Sequence, residues 1–270
     1  MKSRTIFERY AGAAETGPLE LNETLETIIG GRSCRRYDER EITRETLDRL
    51  MAAAQSAPTS CNMQNWSVVA IREPSTKARI RRISGEQAHI EEAPLVLCFL
   101  ADLARLQRVA KANGISHDAL DYIELLLVAV IDASLAAQNL VTAAASLGLG
   151  TCYIGSIRND LPQMCDILGL PEKVAPVFGL TVGYPHPDVP TAIKPRLAPS
   201  SVLHMERYDG DAAVAPVAPY EEALEAFNRA QGRQMPLWGV RSAERVASVA
   251  KMEGRDDLWS ELKAQGFAFK

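Results

Sequence analysis

The chain has 270 residues, 47% hydrophobic and 24% charged, which argues against wholesale disorder and allows one large domain or two modest ones. Its 30 Lys and Arg against 34 Asp and Glu give a net charge of -4, without the basic excess that usually marks a nucleic-acid binder. The cysteines, Cys34, Cys61, Cys98, Cys152 and Cys165, are odd in number and never spaced as CxxC. A metal cage and a disulfide framework are therefore not expected, and a reducing compartment is.

The stretch from Met1 to Gly17 carries Arg4, Glu8, Arg9 and Glu15 and no apolar run, so no secretory signal is expected. A first helix is read from Asn22 to Ile29, closed by Gly30 and Gly31. Thr43 caps a second helix with Leu47, Leu50, Met51 and Ala54 at helical spacing, ended by Pro58. Trp66 to Ile71 reads as a strand, Ser75 as the cap of a short basic helix reaching Ile83, and Leu95 to Leu100 as a buried strand.

His117 to Leu147 is the central helix. Ile123, Leu126, Leu127, Val130, Ala137 and Val141 recur as one face, while Ala133, Ala136 and Ala143 to Ala145 permit close approach of another helix, within the chain or across a dimer. Glu124, Asp132, Gln138 and Asn139 interrupt this region, whereas a membrane span needs about 20 predominantly apolar residues, so a buried helix is expected. Thr151 to Ile154 follows as an extended segment, then a helix over Leu161 to Leu168 and a strand over Val177 to Val182. Ala198 to Pro219 reads as a surface excursion, and helices resume at Tyr220 to Gln231 and Ser242 to Gln265. A few strands among many helices, without regular alternation, predict an α+β fold.

Three segments concentrate ligand chemistry. Gly31-Arg32-Ser33-Cys34-Arg35-Arg36-Tyr37 offers planar guanidinium forks and a hydroxyl suited to phosphate oxygens, although a solvated basic turn has the same composition. Ala57 to Trp66 gathers hydroxyls and amides able to read a planar heterocycle, or simply to form a turn. Thr191 to Leu197 sets Lys194 and Arg196 around a stiff proline.

Together with LGLGTCYIGSIRND, ILGLP and FGLTVGYPHP, these segments resemble the nitroreductase family, most closely its NADPH-dependent nitroreductase and flavin reductase branch. The resemblance runs from about residue 22 to 208, with a weaker echo in the last residues, LWSELKAQGFAFK. It implies a central antiparallel sheet flanked by helices and an interwoven homodimer holding FMN at the subunit interface. Residues 1–200 would form the FMN-binding core, and 201–270 an extension wrapping the partner and lining the substrate and NADPH site.

By the same resemblance, Arg32, Ser33 and Arg35 belong to the first FMN motif, and Thr59, Ser60, Asn62 and Gln64 to the second. Gln87 and His89 form a third group, Tyr153, Ile154, Gly155 and Ser156 the loop near flavin N5, and Lys194 and Arg196 the phosphate pair. Ser156 stands where near relatives commonly have glycine. Arg229, Arg233 and Arg255 are the candidates for the NADPH 2′-phosphate. No side chain is required as an acid or base, so no catalytic residue is assigned.

The implied activity is FMN-dependent NAD(P)H oxidation with reduction of nitroaromatics, quinones or flavins by a ping-pong hydride mechanism. A small-molecule acceptor, a cytoplasmic location and no nucleic-acid or membrane partner go with it. The competing readings are another reaction on the same fold, such as dehalogenation or dehydrogenation, and a non-catalytic flavin-binding redox protein using Cys34 or Cys61. A Rossmann reading fails because Gly148, Gly150 and Gly155 follow a helix and miss the GxGxxG spacing.

Overall fold

Four strands rich in β-branched and aliphatic residues pair into one antiparallel sheet of order β1-β2-β4-β3 in the computed structural model, which describes residues 4–10, 20–189 and 191–270. The expectation about a secretory signal over Met1 to Gly17 falls largely outside the described residues. In chain order the elements are α1 (Arg4–Tyr10), α2 (Glu23–Ile29), α3 (Arg44–Gln55), β1 (Trp66–Ile71), α4 (Pro74–Ile83), α5 (Ala88–Glu92), β2 (Leu95–Asp102) and α6 (Ala104–Ala112). Then come α7 (Ile123–Ser146), β3 (Gly150–Ile154), α8 (Leu161–Leu168), β4 (Val174–Gly183), α9 (Gly210–Val214), α10 (Val217–Ala230), α11 (Trp238–Arg245) and α12 (Leu258–Ala264). The α+β class expected from the sequence is the class observed.

They divide into two compact units: residues 33–190 with 252–270, and the described part of 1–32 with 191–251. In the first, the period-2 alternation of β2 sends Leu95, Leu97 and Phe99 to one face of the sheet and Val96, Cys98 and Leu100 to the other. One face packs against α3 and α7 through Leu50, Ala54, Ala133, Ala136, Ala137 and Leu140. The other packs against α4, α5 and α8 through Ile80, Ile83, Ile90 and Met164. A strand covered on both faces is apolar throughout, and β2 is buried from Leu95 to Ala101.

The alanines of α7 receive α3 within the chain. Ile123 and Leu127, expected on the buried face, are 45% and 51% exposed, because the small residues Ala129, Ala133, Ala136 and Ala137 let the helix backbone approach the sheet from the opposite side. By length and composition α7 is apolar enough to cross a membrane, yet its alanine face is part of the core.

Helix starts follow local chemistry. Asn22 accepts the Leu25 N–H, Thr43 the Thr46 N–H and Asp160 the Gln163 N–H. The basic helix begins at Pro74, not at a Ser75 cap, since proline suits the first turn, where its missing N–H has no partner to lose. The excursion read over 198–219 contains α9 and the start of α10, with Asp209 accepting two N–H groups as the α9 cap. The single helix expected from Ser242 to Gln265 is broken into α11, two short 3-10 turns and α12. Gly254 has φ 87°, and a side chain there would come within 2.5 Å of the Asn159 carbonyl oxygen. Helices α1, α5 and α6 lacked a signal in the sequence reading.

In the second unit, α1 packs on α2, with Ile6 buried. Tyr220 of α10 meets Trp238 edge-on at 5.5 Å, and Glu221 accepts the Gly239 N–H at 2.6 Å.

Candidate functional site

The segment from Ser33 to Tyr37 lies along the free edge of β3. Ser33 forms a single parallel bridge with Thr151, and the Cys34 N–H donates to the Thr151 oxygen at 2.8 Å. Cys34 is 2% exposed and faces Gly150, where an added Cβ would lie 2.5 Å from the Cys34 Cβ, so glycine is what admits the contact. Ser33 and Arg35 remain exposed. Both side chains reach the Cys152 thiol, which burial pushes up and the Arg35 cation pulls back down. Tyr37 fixes the far end: its hydroxyl donates to Cys34 O and shares a bond with Thr181 Oγ1, each at 2.7 Å.

The Arg35 charge also acts on His89. The imidazole is 7% exposed, and burial first, then Arg35, lowers its pKa, so it is neutral at pH 7. Its Nε2 has no partner among the described residues. Helix α5, which carries it, is pinned by the buried Lys77, whose Nζ donates to Glu91 O at 2.9 Å and Ala93 O at 2.7 Å. Gln87 Nε2 donates to Ser84 O at 2.8 Å and to Ser156 Oγ at 2.6 Å, and Ser156 Oγ donates to Ser84 O at 3.2 Å. The serine at 156 is thus tied to Gln87 and fixes the turn after β3.

At the end of β3, Ile154 is 1% exposed and belongs to the core. Among the described residues a Cβ on Gly155 would meet only the Arg158 guanidinium, at 3.6 Å and beyond, so none of them requires glycine there. Tyr153 is 43% exposed, sits edge-on to Phe178 at 5.2 Å, and has its phenol pushed up to about 12 by burial.

The Thr59–Gln64 segment is a strained loop. Cys61, Asn62 and Gln64 have φ of 50°, 56° and 54°, a left-handed concentration that non-glycine residues adopt only where surroundings enforce it. The enforcing group is Asp132 on α7, 1% exposed, which accepts the Ser60 N–H at 3.1 Å and the Asn65 N–H at 3.2 Å. Arg105 adds a bond to Gln64 O at 2.9 Å. Thr59 is half-buried, Ser60, Asn62 and Gln64 are exposed, and Gln64 Nε2 donates to Asn62 Oδ1 at 3.3 Å. The adjacent Asn65 is 1% exposed, and neither side-chain polar atom has a partner among the described residues. Asp132 is not among the expected site residues, although an acid inside the longest apolar stretch is a signal in the sequence.

In the other unit, Arg32 Nε donates to Thr191 Oγ1 at 2.6 Å, and its NH1 to Gly30 O at 3.2 Å. Lys194 and Arg196 are exposed on a segment that is neither helix nor strand. The Arg196 N–H donates to Arg9 O at 2.8 Å, while the Arg9 guanidinium donates to Lys194 O at 2.9 Å and to Ile29 O and Gly31 O at 2.6 Å each. Arg9 is not among the expected site residues. Arg229 is exposed and pairs with Glu225 at 3.2 Å, and Arg233 is exposed after α10. Arg255 belongs to the sheet-bearing unit, where its Nε donates to Met252 O at 2.8 Å and it lies beside Arg158.

Two cavities, of about 620 and 470 Å³, are lined by none of these expected residues. Each unit taken by itself carries part of the chemistry a phosphate-bearing planar heterocycle calls for: one presents the exposed cations Arg32, Lys194 and Arg196 on main-chain ties, and the other holds buried polar atoms of His89 and Asn65 that have no partner among the described residues.

The sequence profile described as the Nitroreductase family matches residues 28–184, and that of the Nitroreductase family, C-terminal domain, matches 194–270. The chain is 35% identical over 253 residues to an FMN reductase (NADPH) of Bacillus subtilis (strain 168), covering 92% of this chain and 99% of that one. Among solved structures it is similar to B. megaterium NfrA2, at 32% identity and a TM-score of 0.85 over 93% of this chain and 100% of that one. It is also similar to the NADPH:FMN oxidoreductase of Vibrio harveyi complexed with NAD+, at 30% identity and a TM-score of 0.80 over 92% of this chain and 100% of that one. With both profiles matched in order and relatives covered end to end, the chain belongs to the nitroreductase family.

Proposed function

We propose that this chain is an FMN-dependent NAD(P)H oxidoreductase that reduces flat small-molecule acceptors (nitroaromatics, quinones or flavins) as a cytoplasmic homodimer in a ping-pong cycle. The observation that carries this reading is the 35% identity, over 99% of its length, to an FMN reductase (NADPH).

FMN, where bound, would supply the electron chemistry between a nicotinamide donor and the acceptor. The protein binds, orients and tunes. Arg32, Lys194 and Arg196 would hold the phosphate with charge-assisted bonds, roughly twice as strong as neutral ones, and Ser33 would add a hydroxyl donor. Arg35, fixed against Cys152 and near His89, would offer the ring a permanent cation. Thr59, Ser60, Asn62 and Gln64 would meet the ring and ribityl chain, Gln87 and neutral His89 its polar edge, and the main chain of Tyr153, Ile154, Gly155 and Ser156 its reactive centre. Arg255, beside Arg158, and Arg229 and Arg233 are the proposed contacts to the nicotinamide donor's 2′-phosphate.

The homodimer has its own support in α7. Ile123, Leu127, Ile131 and Leu135, at i, i+4, i+8 and i+12, are 45%, 51%, 55% and 40% exposed, a continuous apolar stripe of the kind that marks an interface. Residues 201–270, with Val202, Met205 and Val246 more than three-quarters exposed, are proposed to wrap the partner and line the NADPH site.

The test is an anaerobic absorbance titration of the purified protein with NADPH and, separately, NADH. Flavin bands that bleach on addition are expected, with the faster donor identifying the physiological nicotinamide. A protein that neither binds added FMN nor oxidises either donor would sink the reading.

A further inference from the structure

We infer that Arg9, on a helix preceding the family profile's first matched residue, is a positioning residue that assembles the phosphate-binding cations of this chain. The inference rests on the phosphate assignment of Arg32, Lys194 and Arg196 proposed above.

One guanidinium gathers three main-chain carbonyls from two segments far apart in sequence: Ile29 O and Gly31 O at 2.6 Å, and Lys194 O at 2.9 Å. Gly31 directly precedes Arg32, and Lys194 is separated from Arg196 only by the buried Pro195. The tie is reciprocal, because the Arg9 carbonyl accepts the Arg196 N–H at 2.8 Å. Residues 191–198 contain no helix or strand, so their placement depends on such cross-ties. A planar fork with five fixed donors can span both segments, whereas a lysine ammonium, compact on a flexible stem, cannot hold the same three acceptors in one plane.

Burial and the neighbouring Arg196 charge both work against the Arg9 cation, so crowding these cations has an electrostatic cost. A phosphate dianion would relieve it. The helix itself is seated by Ile6, 8% exposed, with α1 packed on α2. Arg9 thereby acts through the segments that carry the phosphate contacts rather than by touching the ligand.

The experiment compares FMN with riboflavin, which lacks the phosphate, by titrating the full-length chain and its Arg9→Gln, Arg9→Lys and Arg196→Ala variants, with melting temperatures recorded alongside. Arg196→Ala is expected to weaken FMN binding roughly tenfold or more, with riboflavin affinity little changed, as for loss of a charge-assisted contact. Arg9→Gln and Arg9→Lys are expected to show the same selective loss of FMN affinity. If Arg196→Ala has this effect and Arg9→Gln leaves FMN affinity intact, the inference is overturned while the phosphate reading stands. Equal loss of FMN and riboflavin in Arg9→Gln would make Arg9 a general structural tie, and full FMN affinity in Arg9→Lys would reduce its role to charge; either overturns the inference. Unchanged FMN affinity in Arg196→Ala would remove the phosphate reading itself, and the role of Arg9 with it.

Discussion

Gly150 and Gly155 lie five residues apart on β3 and the turn after it, and their surroundings assign them opposite roles. At Gly150 an added Cβ would sit 2.5 Å from Cys34 Cβ and 2.7 Å from its sulfur, inside a buried contact that cannot yield without moving the Ser33–Arg35 edge. Gly150→Ala is expected to cost about 1–3 kcal/mol of stability, read as a lower melting temperature. At Gly155 the nearest atom is 3.6 Å away on the flexible Arg158 side chain, so Gly155→Ala should stay within about 0.5 kcal/mol of the parent. If its constraint comes from the bound flavin, that variant should lose FMN affinity while keeping its melting temperature. Loss of stability without loss of FMN affinity would contradict this assignment. Neither role is legible from glycine in a sequence, because both depend on what lies across the gap.

Among elements, α7 supplies the clearest link from packing to site. Its alanine face packs the sheet, and from that face Asp132 reaches the strained loop and accepts two of its N–H groups. Removing an acceptor from a buried donor costs about 1–3 kcal/mol per group, so losing the acceptor of two N–H groups in Asp132→Ala should destabilise the protein by about 2–6 kcal/mol in urea unfolding. It should also release the left-handed conformations at Cys61, Asn62 and Gln64, with faster proteolytic nicking of residues 59–65 and weaker FMN binding. An unaltered nicking rate would show that another group holds the loop. Helices with local signals were readable: Asn22 and Thr43 cap where the sequence places them, and Leu161–Leu168 has the expected bounds. The break at Gly254 was not, because it answers to Asn159, far away in the chain.

Over the whole molecule, the apolar stripe on α7 and the tail after α12 carry the remaining predictions. Ile131 is 55% exposed at the middle of the stripe, and Ile131→Glu should shift the protein from dimer to monomer in sedimentation velocity. A monomeric parent at micromolar concentration would remove the dimer proposal instead. The tail is held by Asp121, which accepts from Lys173 Nζ at 2.8 Å and Lys270 Nζ at 2.9 Å, while Phe267 is 2% exposed. These two ammonium groups hold the Asp121 carboxyl down from 3.8 to about 2. A depressed carboxylate contributes stability that is fully present above its unfolded pKa and lost as pH falls through the folded one. Stability should therefore drop between about pH 4 and pH 2, and Asp121→Asn should flatten that part of the acid-unfolding profile.

The sequence by itself determined the α+β class, most strand and helix positions, and the family, because these follow from local periodicity, capping chemistry and ordered motifs. It also pointed to the cations and amides proposed as flavin contacts, since residue type alone shows what can meet a phosphate or a polar ring. Only the tertiary structure decided what holds them: Asp132 behind the loop, Gly150 behind Cys34, Arg9 behind Lys194 and Arg196, and Ser156 against Gln87. It also decided that α7 turns its alanines inward and its Ile and Leu stripe outward. The physical reason is common to all of these. Each depends on a distance between residues remote in sequence, and periodicity reports spacing along the chain but carries no information about what packs across it.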